Sequence, residues 1–590
     1  MKKLKYILQI FIVVLSLHTL QSCREDSLEV AELDRTEVAS YTDLFNTFWD
    51  TMNNDYNYFN EQEENWDNVY KKYSPKFKKL TTFNKADANP IDAEKEANLA
   101  FKYFAEIITG KVLDQHFGLN VRVPLPSIKS ANRDIDITAG FASNMKYKYT
   151  KEDGFVNLGR NQRNPKIDNE NINFIMRNEK LDPTTVIQDG PILAGFLKSD
   201  PETMYIQLTS FEVYPNAIID GTFPLLESIS EIEGINQSFF DDLKKIDSEV
   251  GSEFETLMKD NLISFKTLIN TILNSNEYKN YTNALDNFKN TELIDDFENS
   301  LIPLANFIKT KKSDFFTKHE SVELLYLAHY NSQNITQAQK NAIKTLYEIY
   351  NGRIETYKKV SSFFNNIRKE FFGQVYTIPG DFDDLLNSIA SNHAIDLYRK
   401  LYNPITNGKA KKIILDLRGN GGGYVIDARI FTERFITQQK VWGYQRTKEG
   451  NGRFNYSPWT PVETKPHKFA LQQNIPIAVL IDENSFSMSE ISTMMIKSQG
   501  DHVTIVGDNS GGGTAGLGGQ DSFNGGNRLS NEYLQFYMPL MAFKNREGKV
   551  VEAIGVAPDV KTIPTQEQVD ELTTTYIDPA FNAALKAVSK

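Results

Sequence analysis

The sequence predicts an α/β protein that begins with a helical region and carries a large helical insertion. Residues 477–513 predict a strand, a tight turn, a helix that starts near Ser487, and a second strand that ends in a glycine cluster. Residues 411–417 predict another buried strand, which also runs directly into glycines. Residues 225–372 are rich in Lys, Glu, Asn, Leu and Phe and contain a single proline, which is typical of long packed helices.

Length and composition limit the classes of protein to which the chain can belong. It has 590 residues, a formal net charge of −12 and a pI near 5.3. This length suits about two to four domains. A hydrophobic content of 40% and an aromatic content of 12% are typical of a globular protein. An acidic chain without a dominant basic stripe predicts no nucleic-acid binding. Seven scattered histidines and one cysteine, without metal-ligand spacing, predict no metal site and no cofactor.

The start of the chain has the pattern of an export signal. Three lysines among the first five residues precede an apolar run, residues 7–20, that is too short to span a bilayer comfortably. We therefore expect residues 1–22 to be a signal peptide. The run leads to Leu-Gln-Ser-Cys, which resembles a bacterial lipobox. This resemblance implies that Cys23 is lipidated and becomes the mature N-terminus. The alternative is a free cysteine behind an ordinary signal.

A lipidated Cys23 implies a location as well as a modification. Residues 23–40 are polar and acidic and would act as a tether. The protein would then be lipid-anchored in the bacterial cell envelope, on the periplasmic or surface face of the outer membrane, with no other membrane contact. Because its only cysteine would be used in this way, no disulfide is expected.

Residues 41–118 predict a small helical domain. Aromatic residues recur at helical intervals in residues 43–79, and residues 92–109 predict another amphipathic helix. A glycine breaks this helix, and the following turn contains Asp114 and His116. A single histidine is more often a surface or core residue than a catalytic one, so its position alone assigns it no role.

The rest of the chain divides by composition into a loop-rich region, a core in two parts and an insertion. Residues 119–190 are loop-rich with some β character and could hold a small, degenerate peptide-binding module, although they contain no convincing carboxylate-binding loop. Residues 191–220 and 376–590 predict the α/β core, and the first part contributes two strands around a turn. Residues 221–375 predict a helical bundle whose apolar stripes are explained by core packing.

The loop after residues 411–417 is the first feature that indicates chemistry. Residues 416–423 read Asp-Leu-Arg-Gly-Asn-Gly-Gly-Gly. A phosphate-binding P-loop would need Gly-Lys-Ser/Thr, and a dinucleotide site would need a different glycine spacing, so neither is predicted. The remaining use of such glycines is to let backbone N–H groups approach a reacting centre without interference from a Cβ atom. We expect Asp416 and Arg418 to brace this loop rather than to react.

The second such feature is the strand-to-helix corner near Ser487. Residues 485–490 read Ser-Phe-Ser-Met-Ser-Glu. Serine is a favoured N-cap, so these serines could simply cap the helix. A serine at such a corner can instead be an activated nucleophile, with N–H groups of the first helical turn forming half of an oxyanion hole. We expect Glu490 to be structural, because a carboxylate in the first turn suits the helix dipole.

Three ordered motifs together resemble a known family. Residues 555–559 read Gly-Val-Ala-Pro-Asp and follow a strand predicted over residues 533–543. With residues 416–423 and 485–490 they resemble the tail-specific (C-terminal-processing) serine protease family, closest to its tricorn-core-like branch. The resemblance implies a crotonase-like α/β core of repeated ββα units. It also implies that the middle serine, Ser487, is the nucleophile.

A lysine base, which the tail-specific branch uses, is not expected in this chain. In that branch the lysine lies in a glycine-rich stretch after the serine, and the matching residues 507–513 contain none. Lys497 lies ten residues beyond Ser487 on the same helix. A separation of that length corresponds to about 15 Å along a helix, which is too far for proton transfer.

The resemblance to the tricorn-like branch instead implies a histidine base. In that branch the histidine comes from the helical domain, in a turn that His116 matches, and it is supported by a glutamate that Glu552 matches. A histidine can take a serine proton at neutral pH, and a carboxylate fixes its tautomer. Asp114 remains an alternative orienting carboxylate, because Gln115 stands where the tricorn-like arrangement has a serine.

These expectations combine into an exported, lipid-anchored serine endopeptidase that hydrolyses peptide or unfolded protein through an acyl-enzyme. Ser487, His116 and Glu552 would be catalytic, and the N–H groups of Met488 and of Gly422, or its neighbour Gly421, would hold the oxyanion. Two alternatives stay open from the sequence. One is an inactive relative that binds peptide or an apolar ligand, and the other is an esterase-like hydrolase that uses the same serine.

Overall fold

In the computed structural model, the described residues fall into two compact units. One, the core unit, lies within Met1–Pro215 and Pro404–Lys590, and the other, the helical unit, lies within Asn216–Asn403. The structure describes residues 38–62, 64–109, 111–129, 131–138, 180–213, 237, 241, 244–245, 248–318, 337–338, 393–514, 525–529, 531–539, 541–562 and 578–589. The predicted signal peptide, Cys23 and most of the predicted tether lie outside these residues.

The helices of the described residues occur in both units. In chain order they are α1 Tyr41–Asp55, α2 Trp66–Phe77, α3 Pro90–Ile108, α4 Ser248–Leu273, α5 Asn276–Thr291, α6 Ile294–Lys318, α7 His393–Leu397, α8 Asn403–Thr406, α9 Asp427–Ile430, α10 Met488–Lys497 and α11 Pro579–Val588. A π-helical turn follows α7, and short 3-10 turns precede β2 and follow α9.

The described strands belong to the core unit. They are β1 Gly118–Leu125, β2 Ala131–Thr138, β3 Ile187–Asp189, β4 Ile192–Leu197, β5 Asp200–Leu208, β6 Lys412–Asp416, β7 Lys440–Thr447, β8 Thr460–Thr464, β9 Ile477–Ile481, β10 Val503–Gly507, β11 Gly525–Leu529, β12 Leu534–Pro539, β13 Met541–Asn545 and β14 Val560–Lys561. They form sheets ordered β14-β10-β9-β6-β5-β4-β3, β11-β12-β1-β2 and β13-β7-β8. The mixture of helices and sheets confirms the α/β class.

Side-chain caps start each of the first three helices. Ser40 Oγ accepts a backbone N–H in the first turn of α1 (3.1 Å), and Asn65 and Asn89 cap α2 and α3 in the same way. The apolar faces of these helices meet in an aromatic core, in which the rings of Phe45 and Phe77 stack with centroids 4.7 Å apart. The sheet that contains β1 and β12 packs against the same core. This core fixes the position of the turn that follows α3.

The loop-rich region with some β character that is expected from residue 119 contains the antiparallel hairpin of β1 and β2. Buried and more exposed residues alternate along β1, which is a period-2 signal that was present in the sequence. Residues 533–543, expected to be one strand, are divided between β12 and β13, which belong to different sheets. Pro539 ends β12, and a proline cannot donate to a strand ladder.

The seven-stranded sheet positions the functional residues. Strands β5, β6, β9, β10 and β14 are parallel, whereas β3 and β4 are antiparallel additions at one edge. Every residue of β9 is buried, as expected for a parallel strand covered on both faces. The carboxyl ends of β6, β9 and β10 lie at the same edge of the sheet. Ligands of open α/β sheets bind at this edge.

A buried ion-pair network connects this sheet to helix α11. The Arg418 guanidinium donates to both carboxylate oxygens of Asp416, at 2.9 and 2.6 Å, and to both oxygens of Asp578, at 3.1 and 2.9 Å. Asp578 also caps α11, and Tyr205 donates its hydroxyl to Asp416 (2.8 Å). The network therefore joins β5, β6 and α11. This agrees with the expectation that Asp416 and Arg418 brace the glycine loop.

The helical unit is described over three long helices and the region of α7. Helices α5 and α6 pack through aromatic residues, with Phe288 and Phe297 ring centroids 5.6 Å apart. Most of the remaining predicted insertion, residues 319–392 above all, lies outside the described residues, so the boundaries 221–375 stay a prediction. None of the described helices has the length and apolar character needed to cross a membrane.

We expect Arg418→Ala to destabilise the core unit by about 3–5 kcal/mol, because it leaves two carboxylates buried without their counter-ion. The side chains of Asp416 and Asp578 are 0% and 6% exposed. All four tryptophans lie in the core unit, so denaturant unfolding followed by tryptophan fluorescence reports on it.

The matched control for this prediction is Arg122→Ala. It breaks the surface pair between Arg122 and Asp134, whose side chains are 49% and 46% exposed. An exposed pair is worth less than about 1 kcal/mol. Equal destabilisation by the two substitutions would show that the buried network does not brace the sheet.

Candidate active site

Ser487 lies at a strained corner between β9 and α10. Its backbone has φ 56° and ψ −115°, an unusual conformation for a residue other than glycine. Such strain costs about 1–3 kcal/mol and persists only where the surroundings enforce it. The next residue, Met488, is the first of α10, so its N–H has no acceptor within its own helix. The corner therefore presents a hydroxyl beside a backbone donor.

The three serines of the corner have different partners. Ser485 Oγ donates to the carbonyl of Leu417 (2.8 Å), and Ser489 Oγ donates to the carbonyl of Asn420 (2.8 Å). Both outer serines thus attach the corner to the glycine loop. The middle serine, Ser487, contributes its backbone N–H to Glu490 (3.1 Å). The position that family resemblance assigns to the nucleophile is also the one whose hydroxyl does not tie the two loops together.

Glu490 is fully buried and connects the corner to the second glycine cluster. Its carboxylate accepts the hydroxyl of Ser510 (2.5 Å) and the N–H groups of Gly512 (2.8 Å), Gly513 (2.8 Å) and Ser487 (3.1 Å). Burial raises the pKa of Glu490 to about 7, although these hydrogen bonds lower it. The structure agrees with the expectation that Glu490 is structural.

The first glycine loop packs directly against Ser487. A Cβ atom at Gly422, where φ is +101°, would lie 2.6 Å from Ser487 Cβ and 2.9 Å from Met488 N. Only glycine fits there. The N–H of Gly422, however, donates to Asn420 Oδ1 (2.9 Å), so in this conformation Gly422 does not supply the predicted oxyanion donor. Gly421, where an added Cβ would meet open space, stays a candidate together with Met488.

His116 lies beside the Ser487 corner although the two residues are far apart in sequence. Its imidazole packs on the ring of Phe486, the residue before Ser487, with centroids 4.8 Å apart. Its backbone N–H donates to Asp114 Oδ1 (2.9 Å), which fixes the turn after α3. The ring atom Nδ1 is buried and has no hydrogen-bond partner among the residues that the structure describes. Burial lowers the pKa of His116 to about 4, so the imidazole is neutral at pH 7.

Two buried carboxylates lie next to this imidazole. A ring nitrogen of His116, a carboxylate oxygen of Asp114 and a carboxylate oxygen of Glu552 all lie within 4.8 Å of one another. Burial raises the pKa of Asp114 to about 7 and raises the pKa of Glu552 as well, and the charge of Asp114 adds to the shift at Glu552. The structure therefore brings the predicted base together with both of its candidate orienting groups.

We assign no metal to this trio of side chains. Both oxygens of Glu552 already accept backbone N–H groups, from Gln115 (2.9 Å) and Thr514 (2.8 Å). A cation would compete with these donors for the same lone pairs.

Lys497 is the last residue of α10 and lies at the end of the helix opposite to Ser487. Its Nζ donates to the carbonyl of Val503 (2.9 Å) and to the carboxylate of Asp559 (2.6 Å). It therefore serves to join α10 to β10 and to the segment before β14. This agrees with the expectation that it does not act as the base.

Sequence reasoning missed the supporting residues of the site. Phe486 lies so close to the second glycine cluster that a Cβ at Gly513 would be 1.8 Å from its ring, and one at Gly511 would be 2.7 Å away. Three consecutive glycines at 511–513 were a visible sign of such close packing. Asn420 and Thr514 gave no comparable signal, because their roles depend on backbone groups from other segments.

A sheet edge that presents a strained serine beside a glycine loop and a neutral imidazole is the arrangement of a serine-type hydrolase. The family follows from comparison with known proteins. Residues 386–562 match the family model described as Peptidase family S41. The chain therefore contains a domain of peptidase family S41, a family of serine-type peptidases.

The chain is also similar to individual proteins of this kind. It is 28% identical over 123 residues to the carboxy-terminal processing protease CtpB of Bacillus subtilis, and the match covers 21% of this chain and 23% of that relative. The chain thus spans less than a quarter of the curated relative that it matches.

Two solved structures are similar at lower identity. A candidate peptidase from Parabacteroides merdae is 14% identical, with 94% of this chain and 98% of that chain covered and a TM-score of 0.43. The tricorn protease is 23% identical, with 33% of this chain and 16% of that chain covered and a TM-score of 0.22.

We expect Gly422→Ala to lower the rate of Ser487 modification by a fluorophosphonate probe by roughly 100-fold or more, because the new methyl group must displace the nucleophile or the Met488 N–H. Gly118→Ala is the matched control, since a Cβ there would make only an ordinary contact of 3.7 Å with Tyr537. Gel-based labelling rates of the two folded variants test this. Normal labelling of Gly422→Ala would contradict the described contact.

Proposed function

We propose that the protein is an exported, lipid-anchored serine endopeptidase that cleaves peptide or unfolded protein substrates. The observation that carries this proposal is the backbone conformation of Ser487 together with the contacts of its neighbours. It is held at a positive φ, its two neighbouring serines are bonded to the glycine loop, and the His116 imidazole packs on the adjoining Phe486. The S41 domain supports peptide bonds as the substrate class.

The proposed reaction is acyl transfer in two halves. Ser487 Oγ attacks the peptide carbonyl while His116 takes the hydroxyl proton. The Met488 N–H and a second backbone donor from the loop containing Gly421 stabilise the oxyanion, and each such donor contributes about 3 kcal/mol. His116 then gives the proton to the leaving amine. Water, activated by the same imidazole, hydrolyses the acyl-enzyme and restores Ser487.

The protonation state of His116 suits this role. Its burial disfavours the imidazolium and keeps the ring neutral at pH 7, so that a proton can be accepted. A carboxylate is then needed to stabilise the imidazolium that forms. In our proposal this carboxylate belongs to the buried pair of Asp114 and Glu552.

The finer architecture is part of the same proposal. We take the core to be crotonase-like, with strands and helices of the core unit arranged as repeated ββα units, and we take residues 221–375 to be a specialised helical insertion. The relative CtpB is named for carboxy-terminal processing. By analogy, we propose carboxy-terminal peptide segments as the substrates of this protein.

The location of the protein is proposed from the start of its sequence. A positively charged start, an apolar run and Cys23 support export and lipidation. The protein would then act in the bacterial cell envelope, attached to the outer membrane by its lipid.

We expect Ser487→Ala and Ser485→Ala to have opposite effects. Ser487→Ala should lower peptide hydrolysis by about 10⁴-fold or more and should leave the melting temperature almost unchanged. Ser485→Ala should cost about 1–3 kcal/mol of stability, since it leaves the buried Leu417 carbonyl without its donor, but the folded protein should still be labelled. Peptide turnover and thermal unfolding measure the two effects.

Failure of this prediction would distinguish the alternatives. Wild-type protein that labels no faster than Ser487→Ala would point to an inactive relative that binds peptide or an apolar ligand. Turnover of simple esters without turnover of peptides would point to an esterase-like hydrolase.

We expect His116→Ala to lower labelling of Ser487 at pH 7 by about 10²- to 10⁴-fold, the usual contribution of a general base. His502→Ala is the matched control, because His502 is another half-buried histidine whose pKa is lowered by burial. Probe-labelling rates at saturating and limiting probe concentration provide the measurement. Equal loss in both variants would show a general effect of removing an imidazole and would place the base elsewhere.

A further inference from the structure

We infer that Phe486 is the positioning residue of the base. Its ring holds the His116 imidazole next to Ser487, and Gly511 and Gly513 provide the space in which that ring is seated. The inference rests on the proposed function. It gives a role to the residue that directly precedes the nucleophile, and it leaves the carboxylate partners of the imidazole as proposed above.

The main chain around Phe486 is held by the loops on either side of it. The N–H of Phe486 donates to the carbonyl of Asn420 (3.0 Å) in the first glycine loop. The carbonyl of the preceding residue, Ser485, accepts the N–H of Gly511 (2.8 Å) in the second glycine cluster. Phe486 itself is only 5% exposed. Because Phe486 and Ser487 are consecutive, these bonds set the position of the ring and of the nucleophile together.

The second glycine cluster forms a seat for the Phe486 ring. A Cβ atom at Gly513 would lie 1.8 Å from Cζ and 1.9 Å from Cε2 of the ring, and one at Gly511 would lie 2.7 Å from Cδ2. Neither glycine has a positive φ, so the backbone conformation does not require glycine at these two positions. The space taken by the ring does. The N–H of Gly513 also donates to Glu490 (2.8 Å), which keeps the seat in place.

The His116 imidazole packs on this seated ring. The two ring centroids are 4.8 Å apart and the ring planes are tilted by 41°. The backbone of His116 is fixed by Asp114, but Nδ1 has no hydrogen-bond partner among the described residues. No bond at Nδ1 therefore sets the plane of the imidazole in this conformation. Aromatic rings at this separation attract each other beyond the effect of burial, so the contact with Phe486 restricts rotation of the imidazole.

Such a contact matters for catalysis because a general base must lie within hydrogen-bond reach of the proton that it takes. A misplacement of about 1 Å can cost about 100-fold in rate. His116 comes from the turn after α3, far from Ser487 in the sequence. A ring that is covalently adjacent to the nucleophile gives the imidazole a fixed reference at the place where it must act.

A double-mutant cycle distinguishes this role from simple filling of space under the corner. The cycle combines Phe486→Leu with His116→Ala in the full-length protein and measures the rate of Ser487 labelling by a fluorophosphonate probe. If the ring acts through the imidazole, Phe486→Leu should slow labelling by about 10- to 100-fold when His116 is present. It should slow labelling by less than about 3-fold when position 116 is already alanine.

Two results of this cycle would overturn the inference. Equal slowing in both backgrounds would show that Phe486 supports the serine corner alone, and no slowing in either would show that the contact has no role. Peptide turnover gives an independent readout. Phe486→Leu should lower kcat with little change in KM, because the loss affects proton transfer and not binding.

Phe288→Leu is the matched control. Phe288 is 4% exposed and its ring packs on Tyr398 with centroids 4.7 Å apart, but it lies in the helical unit. This variant also loses a buried aromatic contact and should keep the wild-type labelling rate. A loss as large as that of Phe486→Leu would mean that removal of any buried ring slows the protein, and would contradict a specific role of Phe486.

A second cycle tests the glycine seat. Gly513→Ala should slow labelling at least as much as Phe486→Leu, since the new methyl group must displace the ring. Added to Phe486→Leu, it should cost less than about 3-fold more, because leucine lacks the Cε and Cζ atoms that the methyl group would meet. Independent, multiplying losses would show that Gly513 is needed for another reason and would refute the seat.

A third measurement needs no substitution in the corner. In a crystal structure of the wild-type protein with the probe bound to Ser487, the His116 imidazole should still pack on Phe486, with centroids less than about 7 Å apart. An imidazole that has left the ring would overturn the inference. Absence of any Ser487-dependent labelling would instead refute the proposed function itself.

Discussion

The buried carboxylate of Glu490 is the constraint on which the site depends. It gathers donors from two segments, the Ser487 corner and the glycine cluster after β10, and it holds the serine backbone at a φ of 56°. Such a conformation is unfavourable in isolation. Hydrogen bonds from backbone N–H groups to a carboxylate are among the stronger ones in proteins, and they offset this cost. The reactive position is therefore maintained by a group that does not itself react.

Buried polar side chains also hold the other described loops near Ser487 in place. Arg418 fixes the start of the first glycine loop between Asp416 and Asp578, and Asn420 fixes its middle by donating to the Leu208 carbonyl (2.8 Å). Glu552 joins the turn after α3 to Thr514. Each loop near Ser487 is thus held by a buried polar side chain. Such fixed loops are what preorganised catalysis requires.

The features that could be predicted from the sequence are local ones. A few consecutive residues specify each of three features: the corner at Ser487, the start of α10 and the glycine loop. The structure has all three where they were expected. His116 had no local signal, and only family resemblance selected it. The bonds from Gln115 and Thr514 to Glu552 depend on the approach of distant segments, which no local pattern encodes.

The residues around Ser487 come from segments that are far apart in the sequence. The bond between the Gln115 N–H and Glu552 spans 437 positions, and the whole helical unit is inserted between them. Forming contacts at such separation requires closing a very long loop, which is a late and slow event in folding. During synthesis, this contact therefore cannot form until the ribosome has released the chain as far as Glu552.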